Sequence, residues 1–215
     1  MERQYFDLMQ FFNGYVRNYR RMNLSHLHNR SMFTKREIDY FANLGEVLGF
    51  DAFVEDSKFD KIKGRSRPMD LSWWKWDARK DKESFSFLAL HLERESIWKK
   101  DIETIEKLFS ETDEGFNPHN VIGIQYLEST ERIGMLNDLI IEKNKNQNSN
   151  VLMIYRFYDS INDAQGVHAY YFTPAGLSER RNAICNIDDS GYWYLCFEEE
   201  YAPLKNKEDL ITTVN

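Results

Sequence analysis

Cysteine is scarce in this sequence, and long hydrophobic runs are missing. The two cysteines, Cys185 and Cys196, are too few for a disulfide scaffold and favour a reducing, cytoplasmic compartment. No segment approaches the run of about 20 apolar residues that spans a bilayer. Charged and polar residues interrupt residues 1–5, where a signal peptide would lead into an apolar core. We therefore expect a soluble cytoplasmic protein with no membrane partner.

Common catalytic signatures are absent as well. The sequence holds no glycine-rich phosphate-binding loop, no HExxH zinc motif, no nucleophile elbow and no Cys-x-x-Cys pair. The formal net charge of −7 argues against a protein that coats nucleic acid, because such proteins are usually basic. It does not exclude a nuclease, since a divalent cation in an acidic site changes the local charge.

The chain contains enough apolar side chains for a large core. Hydrophobic residues make up 42% of the sequence and aromatic residues 15%, so extended disorder is not expected. No linker rich in proline, glycine or serine divides the chain, which predicts a single domain over residues 1–215. Within it we distinguish an N-terminal helix and loop (1–33), a core (34–160), and C-terminal hairpin strands with a tail (161–215).

Hydrophobic periodicity predicts four helices and seven strands. Thr34 and Glu37 match a capping box at the start of the second helix, and Glu103 and Lys107 are spaced to pair one turn apart. The β-α-β-α-β order in the middle of the chain indicates parallel strands, and hairpins at either end make the sheet mixed. The predicted fold class is α/β, a central mixed sheet flanked by helices. The helices are expected over 5–19, 34–49, 97–110 and 130–143, and the strands over 50–56, 68–75, 85–95, 121–127, 151–158, 167–173 and 192–198.

Three carboxylates are conspicuous because two neighbouring strands would bring them together. Asp70 lies in the strand over 68–75, and Glu93 and Glu95 end the apolar strand over 85–95. Glu93 and Glu95 are two positions apart, so they point to the same face of a strand. Carboxylates at the end of a buried strand are costly unless a cation meets them, and Mg²⁺ prefers a few carboxylate oxygens with water and phosphate. The pattern predicts a divalent metal site.

The arrangement resembles the PD-(D/E)xK nuclease superfamily, which has the restriction-endonuclease-like fold. That family places proline and aspartate on one strand, Glu-x-Lys on the next strand, and a helix after it. Pro68 and Asp70 resemble the first part with one extra residue between them, and Glu93 resembles the glutamate of the second part. Glu46 resembles an extra acidic residue that many members carry on a helix before the sheet. The chain departs from the family at Glu95, which stands where the family has lysine.

The resemblance implies a nuclease that uses Mg²⁺ or Mn²⁺ to hydrolyse phosphodiester bonds. Asp70, Glu93 and Glu46 would bind the metal. Asp70, Glu93 and Glu95 would be catalytic, with Glu95 orienting or deprotonating the attacking water. The implied partner is nucleic acid, DNA in preference to RNA, and a homodimer is left open. Contacts to the phosphate backbone would come from the basic residues ahead of Asp70, which are Lys61, Lys63, Arg65 and Arg67.

Two alternatives stay open at this point. Glutamate at position 95 and the net charge of −7 fit a nuclease-like module that lacks catalysis and binds nucleic acid or protein. In a purely structural alternative, Asp70 would cap a turn, and Glu93 and Glu95 would pair with cations near the strand end. The available cations are Arg67, Arg94, Lys99 and Lys100.

Overall fold

The computed structural model describes residues 3–58, 68–76, 85–112 and 114–201. Within these ranges the main elements are four helices and eight strands. The helices are α1 (Leu8–Asn18), α2 (Arg30–Val47), α3 (Asp101–Leu108) and α4 (Ile133–Gln147). The strands are β1 (Asp51–Asp56), β2 (Met69–Trp76), β3 (Phe85–Glu95), β4 (Asn120–Tyr126), β5 (Asn150–Asp159), β6 (Ala164–Thr173), β7 (Gly176–Ile187) and β8 (Trp193–Phe197). No helix in the described ranges combines the length and the apolar character needed to cross a membrane.

All eight strands belong to one mixed sheet, and their spatial order follows the chain from β1 to β8. The pairs β3–β4 and β4–β5 are parallel, because α3 and α4 carry the chain back to the start of the next strand. The other neighbours pair antiparallel, including β2 with β3. The predicted α/β class, a mixed sheet flanked by helices, is confirmed at this level.

Strand alternation divides the core between the two faces of the sheet. On β5, Leu152 and Ile154 pack with α1 and α2, whereas Val151 and Met153 pack with α3 and α4. Helix α2 lies close against the first face, because a Cβ added at Gly45 would stand 2.5 Å from the Trp73 ring. The sheet is therefore covered on both sides, as a parallel centre requires.

Three local predictions were wrong. β7 was not predicted, because residues 178–180 of its first half are polar and exposed and show no apolar alternation. α2 begins earlier than the capping box suggested, since the Asn29 side chain accepts a hydrogen bond from Met32 N–H at 3.0 Å. α3 is shorter than predicted, because a 3₁₀ turn over Trp98–Lys100 precedes it.

A buried ion cluster joins α1 and α2 to the sheet, and we use that name for Glu37, Arg94, Arg156, Tyr15 and Tyr19. The Glu37 carboxylate is fully buried. It accepts hydrogen bonds from Arg94 Nε at 2.8 Å, Arg156 Nη1 at 2.6 Å and the Tyr15 hydroxyl at 2.6 Å. Arg156 Nη1 also donates to the Tyr19 hydroxyl at 3.0 Å. Glu37 is thus the anion of this cluster and not the capping residue that its spacing from Thr34 predicted.

Burial by itself would raise the pKa of Glu37, but the charges of Arg94 and Arg156 outweigh it and hold the pKa below its ordinary value. Glu37 is therefore ionised at neutral pH. A depressed folded pKa contributes stability above the ordinary value of 4.5, and this contribution is lost as the pH falls through the folded pKa.

We expect Glu37→Gln to lower the free energy of unfolding at pH 7 by about 3–5 kcal/mol, because two buried guanidinium groups lose their counter-charge. Urea denaturation measures this, with Glu46→Gln on the exposed side of the same helix as the control, expected to change stability by less than about 0.5 kcal/mol. The difference between wild type and Glu37→Gln should shrink as the pH is lowered below 4.5. A cost near that of the control at pH 7 would contradict the role assigned to the ion cluster.

Candidate functional site

Asp70 and Glu93 lie side by side on β2 and β3. The antiparallel register sets Leu71 opposite Leu92, which brings the two carboxylates to neighbouring strand positions. Asp70 N–H donates to Glu93 Oε2 at 3.2 Å. Arg94 N–H donates to Asp70 Oδ2 at 2.8 Å. Backbone groups of the two strands therefore hold both carboxylates in place.

A lysine from the following helix completes this group. Lys107 Nζ on α3 lies 2.6 Å from Glu93 Oε1, and both side chains are largely buried. The expected pairing of Lys107 with Glu103 is therefore replaced by an ion pair with the strand. We call Asp70, Glu93 and Lys107 the carboxylate site.

The short reach from α3 to β3 depends on a glycine in β4. Gly123 stands beside Glu93 in the parallel register. A Cβ at Gly123 would lie 2.8 Å from Leu108 Cδ1 and 2.5 Å from Met153 Sδ. The absence of that Cβ lets Leu108 rest directly on the sheet, and Lys107 precedes it in the helix. Sequence periodicity carries no signal for this contact, which depends on the packing of α3.

The two carboxylates bind protons more tightly than free ones. Burial raises the pKa of Asp70 above its ordinary value, and the charge of Glu95 adds to the shift. Burial, followed by the charge of Asp70, raises the pKa of Glu93 to about 7, although Lys107 acts in the opposite direction. One lysine does not compensate the buried carboxylate of Glu93 and the half-buried carboxylate of Asp70, so the carboxylate site favours an additional cation.

A cleft gives access to Asp70 from the side of α2. Its volume is ≈ 410 Å³. Glu55 on β1 lines it and has a φ of 53°, a left-handed backbone conformation that is unfavourable for glutamate. In the antiparallel pairing of β1 with β2, Val54 lies opposite Leu71, so Glu55 lies opposite Asp70. Sequence reasoning missed this carboxylate, because nothing in the local pattern marks the distorted strand. The cleft is lined by Ser31, Thr34, Lys35, Ile38, Asp39, Val54, Glu55 and Asp70.

The other predicted site residues have different placements. Glu95 is half-buried at the end of β3, and its Oε1 accepts a hydrogen bond from Ile97 N–H at 2.8 Å. Glu46 is exposed near the end of α2, eight positions past the cleft residue Ile38 and so about 12 Å farther along the helix. The structure does not bring Glu46 to Asp70 and Glu93. The predicted phosphate contacts Lys61, Lys63, Arg65 and Arg67 lie outside the described residues.

The residues present fit a cation that takes only part of its coordination from protein. Among the described residues, no group of three or more His, Cys, Asp or Glu side chains is placed to hold a metal ion. Asp70 and Glu93 alone are two carboxylates, and Mg²⁺ is commonly held by one or two carboxylates together with water and substrate phosphates. Oxygen donors of this kind also suit Mn²⁺. A dedicated cage made only of protein ligands is not what these residues offer.

Comparison with known proteins gives no family for this chain and a weak structural likeness. No family model matches the sequence, and a search of curated proteins finds no match. Among solved structures, the central domain of yeast acetyl-CoA carboxylase matches 75% of this chain at 9% sequence identity, with a TM-score of 0.39. The match takes in 26% of that chain. A likeness at this level carries no statement about what this chain does.

Proposed function

We propose that this protein hydrolyses phosphodiester bonds in nucleic acid with the help of Mg²⁺ or Mn²⁺. The observation that carries the proposal is the carboxylate site, where Asp70, Glu93 and Lys107 stand together. These are the three kinds of side chain that the PD-(D/E)xK pattern combines. The lysine comes from α3 instead of from the strand position held by Glu95, so its side chain reaches Glu93 from the helix.

The surrounding elements support the same proposal. A helix, α2, precedes the antiparallel strands β1, β2 and β3. α3 follows and leads into β4, which is parallel to β3. Asp70 and Glu93 thus occupy adjacent strands with a helix directly after the second, which is the order that the family resemblance implies. A restriction-endonuclease-like core within the larger eight-stranded sheet is part of the proposal.

In the proposed reaction Asp70 and Glu93 would hold the cation, which would supply Lewis-acid polarisation of the scissile phosphate and lower the pKa of an attacking water. Lys107 offsets the negative charge that develops on the phosphate, because its ammonium group is already fixed beside Glu93. Glu95 is the proposed proton acceptor for the attacking water. Ile97 N–H fixes one of its oxygens and so orients the carboxylate.

A second candidate is a nuclease-like module without catalysis that binds nucleic acid or a protein. The Lys107–Glu93 ion pair favours it, because the pair stabilises Glu93 without a metal. Metal titration separates the two candidates, since only the hydrolase requires a cation at the carboxylate site.

The full-length chain should cleave DNA in the presence of Mg²⁺ or Mn²⁺, and Asp70→Asn or Glu93→Gln should lower the rate at least about 100-fold by removing a metal ligand. Cleavage of labelled single- and double-stranded DNA, with an RNA arm, measures this. Glu46→Gln is the matched control and should keep the wild-type rate, since Glu46 lies apart from the carboxylate site. If wild type cuts nothing, and calorimetry gives the same Mn²⁺ heats for wild type and Asp70→Asn, the hydrolase proposal fails.

We expect Lys107→Met to reduce the cleavage rate by about 100-fold, as loss of one group that stabilises transition-state charge typically does. Folding should survive, because Glu93 can take up a proton when its partner is removed. Single-turnover cleavage and circular dichroism are the measurements. Lys143→Met on α4 is the control, since Lys143 is half-buried and its Nζ lies 4.0 Å from Glu106 Oε1, away from the carboxylate site. A Lys107→Met protein with the wild-type rate would assign the lysine a structural role only.

The raised pKa of Glu93 predicts a distinctive pH dependence of stability in the presence of a chelator. The folded state holds a proton on Glu93 up to a pH of about 7, whereas the unfolded state releases it near 4.5. The contribution of Glu93 to stability is therefore full below 4.5 and is lost as the pH rises to about 7. Urea denaturation across this range should show the decline in wild type, and Glu93→Gln should lack this component. Equal slopes for the two proteins would contradict the raised pKa.

A further inference from the structure

A second cavity opens at the carboxyl ends of β3, β4 and β5, on the α2 side of the sheet. Its volume is ≈ 290 Å³. Crevices outside the carboxyl ends of parallel strands are common ligand sites in α/β sheets. None of its lining residues is a carboxylate, and three are arginines. It is lined by His28, Arg30, Phe33, Arg94, Ser96, Tyr126, Arg156, Gln165 and Trp193. We call it the arginine cavity.

The arginines that line the arginine cavity carry more positive charge than their one carboxylate partner, Glu37, compensates. Arg94 and Arg156 are 7% and 1% exposed, and they share the single carboxylate of Glu37. Burial keeps the pKa of the Cys185 thiol at about 11, so its contact with Arg156 adds no negative charge. Arg30 adds a third positive charge at the exposed rim. An uncompensated buried charge is costly, and an anion in the cavity would offset it.

Some N–H donors of the residues that line the arginine cavity have no acceptor among the described residues. Arg156 Nε and Trp193 Nε1 are buried and have no acceptor among the described residues. Arg94 donates through Nε to Glu37 and through Nη1 to Thr34. Its Nη2 donates to no described residue. An acceptor oxygen of a ligand in the cavity would give Arg94 Nη2 the partner that it lacks among the described residues.

The cavity is too large for an inorganic anion alone, and part of its wall is aromatic. Phe33 and Trp193 contact each other edge to face, with ring centroids 6.2 Å apart, and both line the cavity. Such a surface packs well against a flat organic ring. Arginine clusters suit phosphate groups because the guanidinium fork matches the spacing of phosphate oxygens.

We propose that the arginine cavity binds a small phosphate monoester that carries a planar ring, the chemistry of a nucleoside monophosphate. The phosphate faces Arg94 and Arg30, and the ring lies against Phe33 and Trp193. The site is separate from the carboxylate site and does not depend on the proposed hydrolysis. It goes beyond that function, because binding here requires no metal and no bond cleavage.

Calorimetric titration of the metal-free full chain tests this with three probes: AMP, adenosine and inorganic phosphate. AMP should bind at least about tenfold more tightly than either part, because only AMP fills both halves of the cavity. Arg30→Gln should weaken AMP about tenfold and leave adenosine unchanged.

Arg36→Gln is the matched control, since Arg36 is exposed on the same helix and does not line the arginine cavity. Its AMP affinity should equal that of wild type. Mutation of Arg94 or Arg156 would leave Glu37 with one buried partner and destabilise the fold. NMR of the arginine Nε–H groups therefore replaces their mutation, and AMP should shift the Arg94 signal. Equal affinities for AMP and adenosine, no AMP binding at millimolar concentration, or an unchanged affinity in Arg30→Gln would each overturn the proposal.

Discussion

The structure depends on one carboxylate that is shared by two buried guanidinium groups. Glu37 on α2 meets Arg94 on β3 and Arg156 on β5, so a single charge ties a helix to two strands that are not neighbours in the sheet. Removing three charged groups from water is favourable only when their geometry and hydrogen bonds are nearly complete. The interaction therefore fixes the position of α2, and with it the cleft that opens onto Asp70.

Strand alternation then sorts the remaining charges onto opposite faces of the sheet. Glu93 and Arg94 are consecutive residues of β3, so their side chains point in opposite directions. Glu93 meets Lys107 on the side of α3, and Arg94 meets Glu37 on the side of α2. The Lys107–Glu93 ion pair and the buried ion cluster are consequently separated by the thickness of one sheet.

The sequence alone could predict the layered sheet, the β2–β3 hairpin and the parallel strands on either side of β4, since periodicity and chain order determine them. It also placed Asp70 and Glu93 on adjacent strands, because strands that are consecutive in the chain commonly pair. Lys107 could not be found in this way, since its contact depends on how closely α3 packs over Gly123. Glu37 was misread for a related reason: its spacing from Thr34 matches a local cap, but its partners come from distant strands. β7 was missed because pairing with β6 and β8, and not apolar alternation, makes it a strand.

Arg94 connects the carboxylate site with the arginine cavity. Its backbone N–H donates to Asp70 Oδ2, while its side chain lines the arginine cavity. A displacement of this residue by a ligand in the arginine cavity would change the hydrogen bond that holds Asp70. If the two proposed ligands bind and are coupled through this peptide group, each alters the affinity of the other by the same factor.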